Sequence, residues 1–124
     1  NLSKKDQKRL LFLNNFYSQK ITSKTFSEKN LNKIFYFNGK EALMDVINFK
    51  IFKLKKVDSK LLRMIKNFKD KDRPFMPLKA NTLMEKYNIP EGKELGNKLK
   101  LIEEVWANNN FEISEKEIQK IVNN

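Results

Sequence analysis

Apolar residues recur at intervals of three and four along almost the whole chain, and few glycines or prolines interrupt them. The clearest run is Leu95, Leu99, Ile102 and Trp106. This spacing places all of its members on one face of a helix. The 124 residues include only three Gly and three Pro, too few for the many tight turns of an all-β fold. The pattern therefore predicts an all-α fold, a compact bundle of six to seven helices with no significant sheet.

Residues that favour helix ends divide this pattern into seven segments. Ser3 and Ser27 are typical N-caps, and Ser114 with Glu117 forms a complete capping box. Gly39 ends the second segment, because glycine accepts the left-handed conformation that a helix end needs. The predicted helices follow Ser3, run over 27–39, 40–52, 58–68, 78–87 and 93–107, and follow Ser114.

Two prolines and mixed charges mark the segment 70–77 as a loop. It divides the chain into a basic helical region over 1–69, a proline-containing linker over 70–77 and a second helical region over 78–124. The two helical regions could also form one continuous domain. The sequence begins at Asn1 without a Met, so we expect a fragment of a larger protein.

The positive charge is concentrated in the first region. The chain has 26 Lys and Arg against 15 Asp and Glu, a net charge of +11. Residues 1–69 carry a net charge of +12, and residues 70–124 one of −1. AT-rich codon usage would also enrich Lys, but such drift should load both regions alike. The asymmetry therefore favours a basic face for a polyanionic partner.

The composition excludes several kinds of catalytic site. Without Cys or His the chain has no disulfide, thiol nucleophile, imidazole ligand or His-based triad. Asp70 and Asp72 have the spacing of a Mg²⁺ site, but the flanking cations and prolines favour a solvated loop. Glu103 and Glu104 diverge by about 100° on a helix, so we expect them to face solvent, where they could pair with Lys100 or Lys98. We therefore expect no catalytic residue, metal, cofactor or small-molecule substrate in this chain.

The same composition bears on membranes and on location. No apolar run approaches the ~20 residues of a transmembrane helix. Helices rich in Lys and Phe can lie on anionic lipid, but here the apolar faces belong to several helices that can bury one another. We expect no membrane partner, and the absence of Cys suits the reducing cytoplasm.

The strongest candidate site is a series of cations in the third and fourth predicted helices. The candidate phosphate contacts are Lys50, Lys53, Lys55, Lys56, Lys60, Arg63, Lys66 and Lys69, with Arg73, Lys79 and Lys93 as further candidates. From Lys60 onward they recur at three-residue steps and form a stripe beside an apolar face. That predicted face consists of Leu61, Leu62, Ile65 and Phe68. A solvated helix surface would give the same pattern as an interface that neutralises phosphates. We expect most of the ten Phe to be buried, although some could stack on bases.

A second pattern lies in residues 77–114. Ile89-Pro-Glu-Gly92 is followed by Leu95-Gly96, by Leu99-Lys-Leu-Ile-Glu-Glu-Val-Trp106 and by Asn108-Asn-Asn-Phe111. This pattern resembles the C-terminal part of bacterial class II tRNA nucleotidyltransferases, the CCA-adding enzymes, and of their poly(A) polymerase relatives. The matching residues are Ile89, Pro90, Gly92, Leu95, Gly96, Leu99, Ile102, Glu103, Trp106 and Phe111. Asn88, Ala80 and Thr82 depart from the family's usual Gly, Gly and Asp, and a weaker match over 35–45 extends the resemblance across most of the chain.

The resemblance implies an all-helical region that holds tRNA by its backbone and shape. In the family a catalytic head lies N-terminal to this region and binds Mg²⁺ with ATP or CTP; this chain contains no such head. The implied partners are tRNA or another RNA, and the missing head of the same polypeptide. Gly92 and Gly96 favour close packing between helices, with approach of RNA phosphates near Lys93 as the alternative.

Two other functions fit the sequence less closely. A stand-alone module that binds DNA or RNA would use the helix over 58–68 for recognition, and its base-reading residues are only Arg63 and Asn67. If the chain is a structural or protein-interaction domain, its many lysines result from codon drift and not from a polyanionic partner. Basic residues scattered over all faces of the fold would favour that last alternative.

Overall fold

The structure is a computed structural model that describes residues 2–55 and 58–124. These residues form seven α-helices and no strand, which confirms the predicted all-α fold. The helices are α1 (Lys4–Ser18), α2 (Glu28–Asn38), α3 (Lys40–Leu54), α4 (Ser59–Lys69), α5 (Ala80–Tyr87), α6 (Lys93–Asn108) and α7 (Glu115–Val122). The helix ends lie within two residues of the predicted ones.

Side-chain caps explain why four helices begin where they do. The hydroxyls of Ser3 and Ser27 each accept a hydrogen bond from the backbone N–H three residues ahead, at 3.1 and 3.2 Å. The Asp58 carboxylate accepts from the backbone N–H groups two and three residues ahead, at 2.9 and 3.2 Å. Ser114 and Glu117 form the complete capping box that the sequence predicts. Each cap satisfies N–H groups that have no partner within the helix.

The chain divides into two compact units, Asn1–Arg73 and Pro74–Asn124, each with its own hydrophobic core. In the first unit α1, α2 and α4 all pack against α3. The core of this unit consists of Phe16, Phe26, Leu31, Ile34, Phe35, Leu43, Val46, Ile47, Leu61 and Phe68. Because α3 is the central helix, the faces of α1, α2 and α4 that point away from it are left to solvent.

Tyr17 ties α1 to the central helix. Its Oη–H donates a hydrogen bond to the backbone oxygen of Val46 at 2.7 Å, and its ring centroid lies 4.8 Å from that of Phe49. Burial raises the pKa of Tyr17 to about 12, because the tyrosinate would lose hydration there. The Tyr17 hydroxyl therefore has its hydrogen-bond partner within the fold.

In the second unit α5 and α7 pack against α6. The core of this unit consists of Leu83, Ile89, Leu95, Ile102 and Ile118, with Leu99 partly buried against it. Trp106 is buried, and its ring centroid lies 5.0 Å from that of Phe111. The predicted apolar face of α6 is confirmed.

The Phe side chains are less buried than the composition suggests. Four of the ten are buried and three are half-buried, while Phe37, Phe52 and Phe75 are exposed. The expectation that most Phe are buried is met only when the half-buried rings are counted. Phe52 is 75% exposed and lies among the candidate lysines of α3.

Candidate nucleic-acid interface

The solvent side of α4 carries Lys60, Arg63, Lys66 and Lys69, and all four are exposed. Three residues advance a helix by about 300°, so successive members are displaced by about 60° and together span about half the circumference. The opposite side buries Leu61 and Phe68. Leu62 is 46% exposed, so its predicted place on the apolar face is wrong. Its position on the helix is within the arc of the cations.

No acidic residue belongs to α4. The neighbouring carboxylate of Asp58 is occupied by capping the helix. In the described part of the chain, no carboxylate lies within 4.0 Å of the four cationic groups. The positive charge of α4 is therefore available to an external anion.

The cations between α1 and α3, unlike those of α4, are paired with carboxylates. The Arg9 guanidinium donates to both carboxylate oxygens of Asp45, at 2.8 and 2.9 Å, and Lys5 pairs with Glu41 at 2.9 Å. The hydrogen bond from Arg9 to Asp45 raises the pKa of the guanidinium above its ordinary value. The acidic side chains of α3, Glu41 and Asp45, thus lie in its N-terminal half and are paired with cations of α1. The C-terminal half of α3 is basic.

Aromatic rings position two of the predicted lysines on α3. The ammonium of Lys50 lies 4.2 Å from the ring centroid of Phe26, and that of Lys53 lies 5.4 Å from the centroid of Phe49. Such cation–π contacts orient a lysine while leaving its charge unneutralised. Lys55 is exposed just beyond the helix in the left-handed conformation. Lys56, also a predicted contact, lies outside the described residues.

A cavity of about 500 Å³ lies between the start of α2 and α4, and we call it the α2–α4 cavity. Its lining residues are Glu28, Lys60, Arg63, Met64, Asn67, Phe68 and Lys71. The Lys71 ammonium donates to Oδ1 of Asn32 at 3.0 Å and lies 5.1 Å from the ring centroid of Phe68. The spacing of Lys60, Arg63 and Asn67 places them on one helix face and was readable from the sequence. Sequence reasoning missed Glu28, which comes from another helix, and Lys71, which lies just beyond the end of α4.

The remaining predicted cations have separate positions. The Nε–H of Arg73 donates to the backbone oxygen of Tyr36, so this arginine holds the end of the first unit against α2. The backbone oxygen of Lys69 accepts from the ammonium of Lys40, while the Lys69 side chain stays exposed. Lys79 and Lys93 belong to the second unit, where they are exposed at the starts of α5 and α6.

The residues of the second sequence pattern build the core of the second unit. Asn88 ends α5 with a φ of +56°, a conformation that asparagine tolerates well. Ile89, Leu95 and Trp106 are buried, while Pro90 is exposed. Glu103 and Phe111 are half-buried. This pattern is therefore explained mainly by packing.

The two glycines of that pattern are not packed against another helix. A Cβ atom added at Gly92 or Gly96 would meet no heavy atom within 4 Å, and both residues are exposed. The predicted close helix–helix packing is wrong. Gly92 is explained by its φ of +146°, which L-residues rarely adopt, whereas Gly96 lies inside α6 with ordinary helical geometry.

Among residues 2–55 and 58–124, no group of three or more acidic side chains is arranged to hold a metal ion. No helix in this part of the chain has the length and apolar character needed to span a bilayer. Together the fold and the site define an all-α protein with an acid-free basic helix face. Comparisons of the chain with protein-family models, with curated proteins and with solved structures give no match.

Proposed function

We propose that the chain is an RNA-binding region that holds tRNA or a related RNA through the first unit. The observation that carries the proposal is the solvent face of α4, which has four exposed cations and no acidic side chain. A surface cation paired with a carboxylate must give up that partner to bind a phosphate. The cations of α4 have no such partner within residues 2–55 and 58–124, so a phosphate replaces water and counterions there.

The C-terminal half of α3 extends this basic surface. Lys50 and Lys53 are oriented by aromatic rings, so their charge is fixed in place before an anion arrives. Phe52 offers an exposed ring on which an unpaired base can stack. Backbone phosphates with occasional stacking is a mode of binding that is largely indifferent to sequence.

The resemblance to tRNA nucleotidyltransferases and poly(A) polymerases favours RNA over DNA as the partner. On this proposal the chain is the tRNA-holding body and tail of such an enzyme. Nucleotide addition with Mg²⁺ and ATP or CTP belongs to a head outside this chain. The residues of this chain bind and orient the RNA, and none of them has a catalytic role.

The test is a binding titration of the chain against tRNA and against a DNA duplex of equal length, at several salt concentrations. We expect tighter binding to tRNA, with an affinity that falls log-linearly with salt. The double variant Lys60→Gln/Lys66→Gln should lower the slope of that dependence by about two, one for each lost phosphate contact. Lys4→Gln/Lys8→Gln on α1 is the matched control, because both residues are exposed and neither has a carboxylate partner among the residues that the structure describes.

The control pair decides between an interface and scattered charge. In the described part of the chain, lysines without a carboxylate partner occur on α1 and α2 as well as on α4. Equal losses from the two pairs would contradict a specific α4 interface and favour codon drift. Equal binding to DNA and tRNA would favour a stand-alone nucleic-acid-binding module.

A further inference from the structure

We propose that the α2–α4 cavity binds one unpaired base of the bound RNA and prefers bases that carry an exocyclic amino group. This inference rests on the proposed function and adds a sequence preference to it. Specific recognition of RNA commonly takes place at unstacked bases in loops and at ends. A cavity of about 500 Å³ lies within the ~300–1,000 Å³ range of small-ligand sites.

The carboxylate of Glu28 is the observation that separates a base site from a simple phosphate site. Glu28 lines the cavity together with three cations, yet no ion pair joins it to any of them. A site for phosphate alone would repel its ligand with this carboxylate. An ionised carboxylate only accepts hydrogen bonds, so it favours a ligand that presents N–H donors.

The nucleobases differ in those donors. Adenine and cytosine each present an exocyclic amino group beside a ring nitrogen acceptor. Uracil has no exocyclic amino group: its single N3–H donor lies between two carbonyl oxygens, and the Glu28 carboxylate would repel those oxygens. The Asn67 side chain is exposed at this cavity, and its amide offers one acceptor and two donors. Glu28 and Asn67 together therefore complement the edge of an amino-bearing base.

The other lining residues suit the rest of a nucleotide. The side chains of Met64 and Phe68 give the cavity an apolar surface for a base. The Lys71 ammonium contacts Asn32 and the Phe68 ring, so the position of this side chain at the edge of the cavity is fixed. Lys60 and Arg63 are free to contact the phosphate, and the planar guanidinium can also stack on the base.

The test compares single-stranded RNA oligonucleotides of equal length that contain only adenine, only cytosine or only uracil. We expect the adenine and cytosine oligonucleotides to bind about fivefold more tightly than uracil at equal salt, the low end for one polar recognition contact. Glu28→Gln should remove most of this preference, and Asn67→Leu should reduce it without any change in charge. Glu94→Gln is the matched control, since Glu94 is also an exposed acidic residue in the first turn of a helix.

The outcomes separate this inference from the proposed function. Salt-dependent binding that is equal for all three oligonucleotides would overturn the base site and leave the phosphate-binding proposal standing. An equal loss of preference in Glu94→Gln would also overturn it, because net charge alone would then be the cause. Absence of RNA binding at low salt would overturn both proposals.

Discussion

Gly92 and Gly96 are both exposed but differ in backbone conformation. Gly92 has a φ of +146°, whereas Gly96 is helical and interior to α6. Gly96→Ala should therefore raise the free energy of unfolding by about 1 kcal/mol, since glycine is the poorer helix former and the new Cβ has open space. Gly92→Ala should lower it by a larger amount, because alanine strains at positive φ. Denaturant unfolding followed by Trp106 fluorescence measures both changes.

The same pair of variants tests how these glycines are used. Destabilisation by Gly96→Ala would contradict the open space around that residue. A stable Gly96→Ala variant that binds RNA more weakly would instead indicate that a ligand approaches the backbone at this point. The measurement therefore pairs each unfolding curve with the tRNA titration.

Lys98 shows what the helical pattern does not reveal about a single residue. The sequence suggests it only as one possible partner for the carboxylates of Glu103 and Glu104. In the structure it is only 8% exposed, and its ammonium donates to the backbone oxygens of Ile121 and Asn124. It thus binds carbonyl groups at the C-terminal end of α7, where a cation is favoured. That role depends on where α7 packs, which local spacing cannot encode.

At the scale of helices, α5 and α7 are joined by one polar cluster. The Glu115 carboxylate accepts hydrogen bonds from the Lys86 ammonium and the Tyr87 hydroxyl, both at 2.6 Å. The bond from Lys86, and then that from Tyr87, holds the pKa of Glu115 below its ordinary value. A depressed carboxyl pKa contributes stability that is present above the unfolded-state pKa and is lost as the pH falls through the folded-state pKa.

Glu115→Gln should therefore weaken the dependence of the second unit's free energy of unfolding on pH in the acidic range. The wild-type chain should lose stability as the pH falls below about 4.5, the ordinary pKa of a glutamate. The variant should be less stable at neutral pH, and it should not show the fall in stability that protonation of Glu115 causes in the wild-type chain. Urea unfolding between neutral and acidic pH measures the difference. Glu112→Gln, which removes an exposed carboxylate without these partners, should keep the wild-type acid profile.

The helices themselves were predictable because their signals are local. Serine caps fix where three of the helices begin, at Ser3, Ser27 and Ser114. The spacing of apolar residues fixes which face of each helix is buried. The basic face of α4 follows from the same periodicity. The α2–α4 cavity was not predictable, because it needs Glu28 of α2 to meet residues of α4. Spacing also misassigned Leu62, since an apolar residue at the margin of a face can lie on either side of it.

At the scale of the whole molecule, the charge is divided unevenly between the two units. The first unit has a net charge of +12 and the second one of −1. Like charges repel across the first unit, and this repulsion is screened as the Debye length falls from ~30 Å at 0.01 M to ~10 Å at 0.1 M salt. Added salt should therefore stabilise the first unit and leave the second nearly unchanged. Each kcal/mol of relieved repulsion should raise the melting temperature by about 4–8 °C.

One residue makes this prediction measurable in the intact chain. Trp106 is the only Trp and is buried in the second unit, so its fluorescence reports the unfolding of that unit. Far-ultraviolet circular dichroism reports all helices, most of which lie in the first unit. Salt should raise the midpoint seen by circular dichroism and leave the fluorescence midpoint in place. The triple variant Lys60→Gln/Lys66→Gln/Lys69→Gln should weaken that salt response. A shift of both midpoints together would contradict the prediction, because the two units would then unfold as one and the repulsion within the first unit would be shared by both.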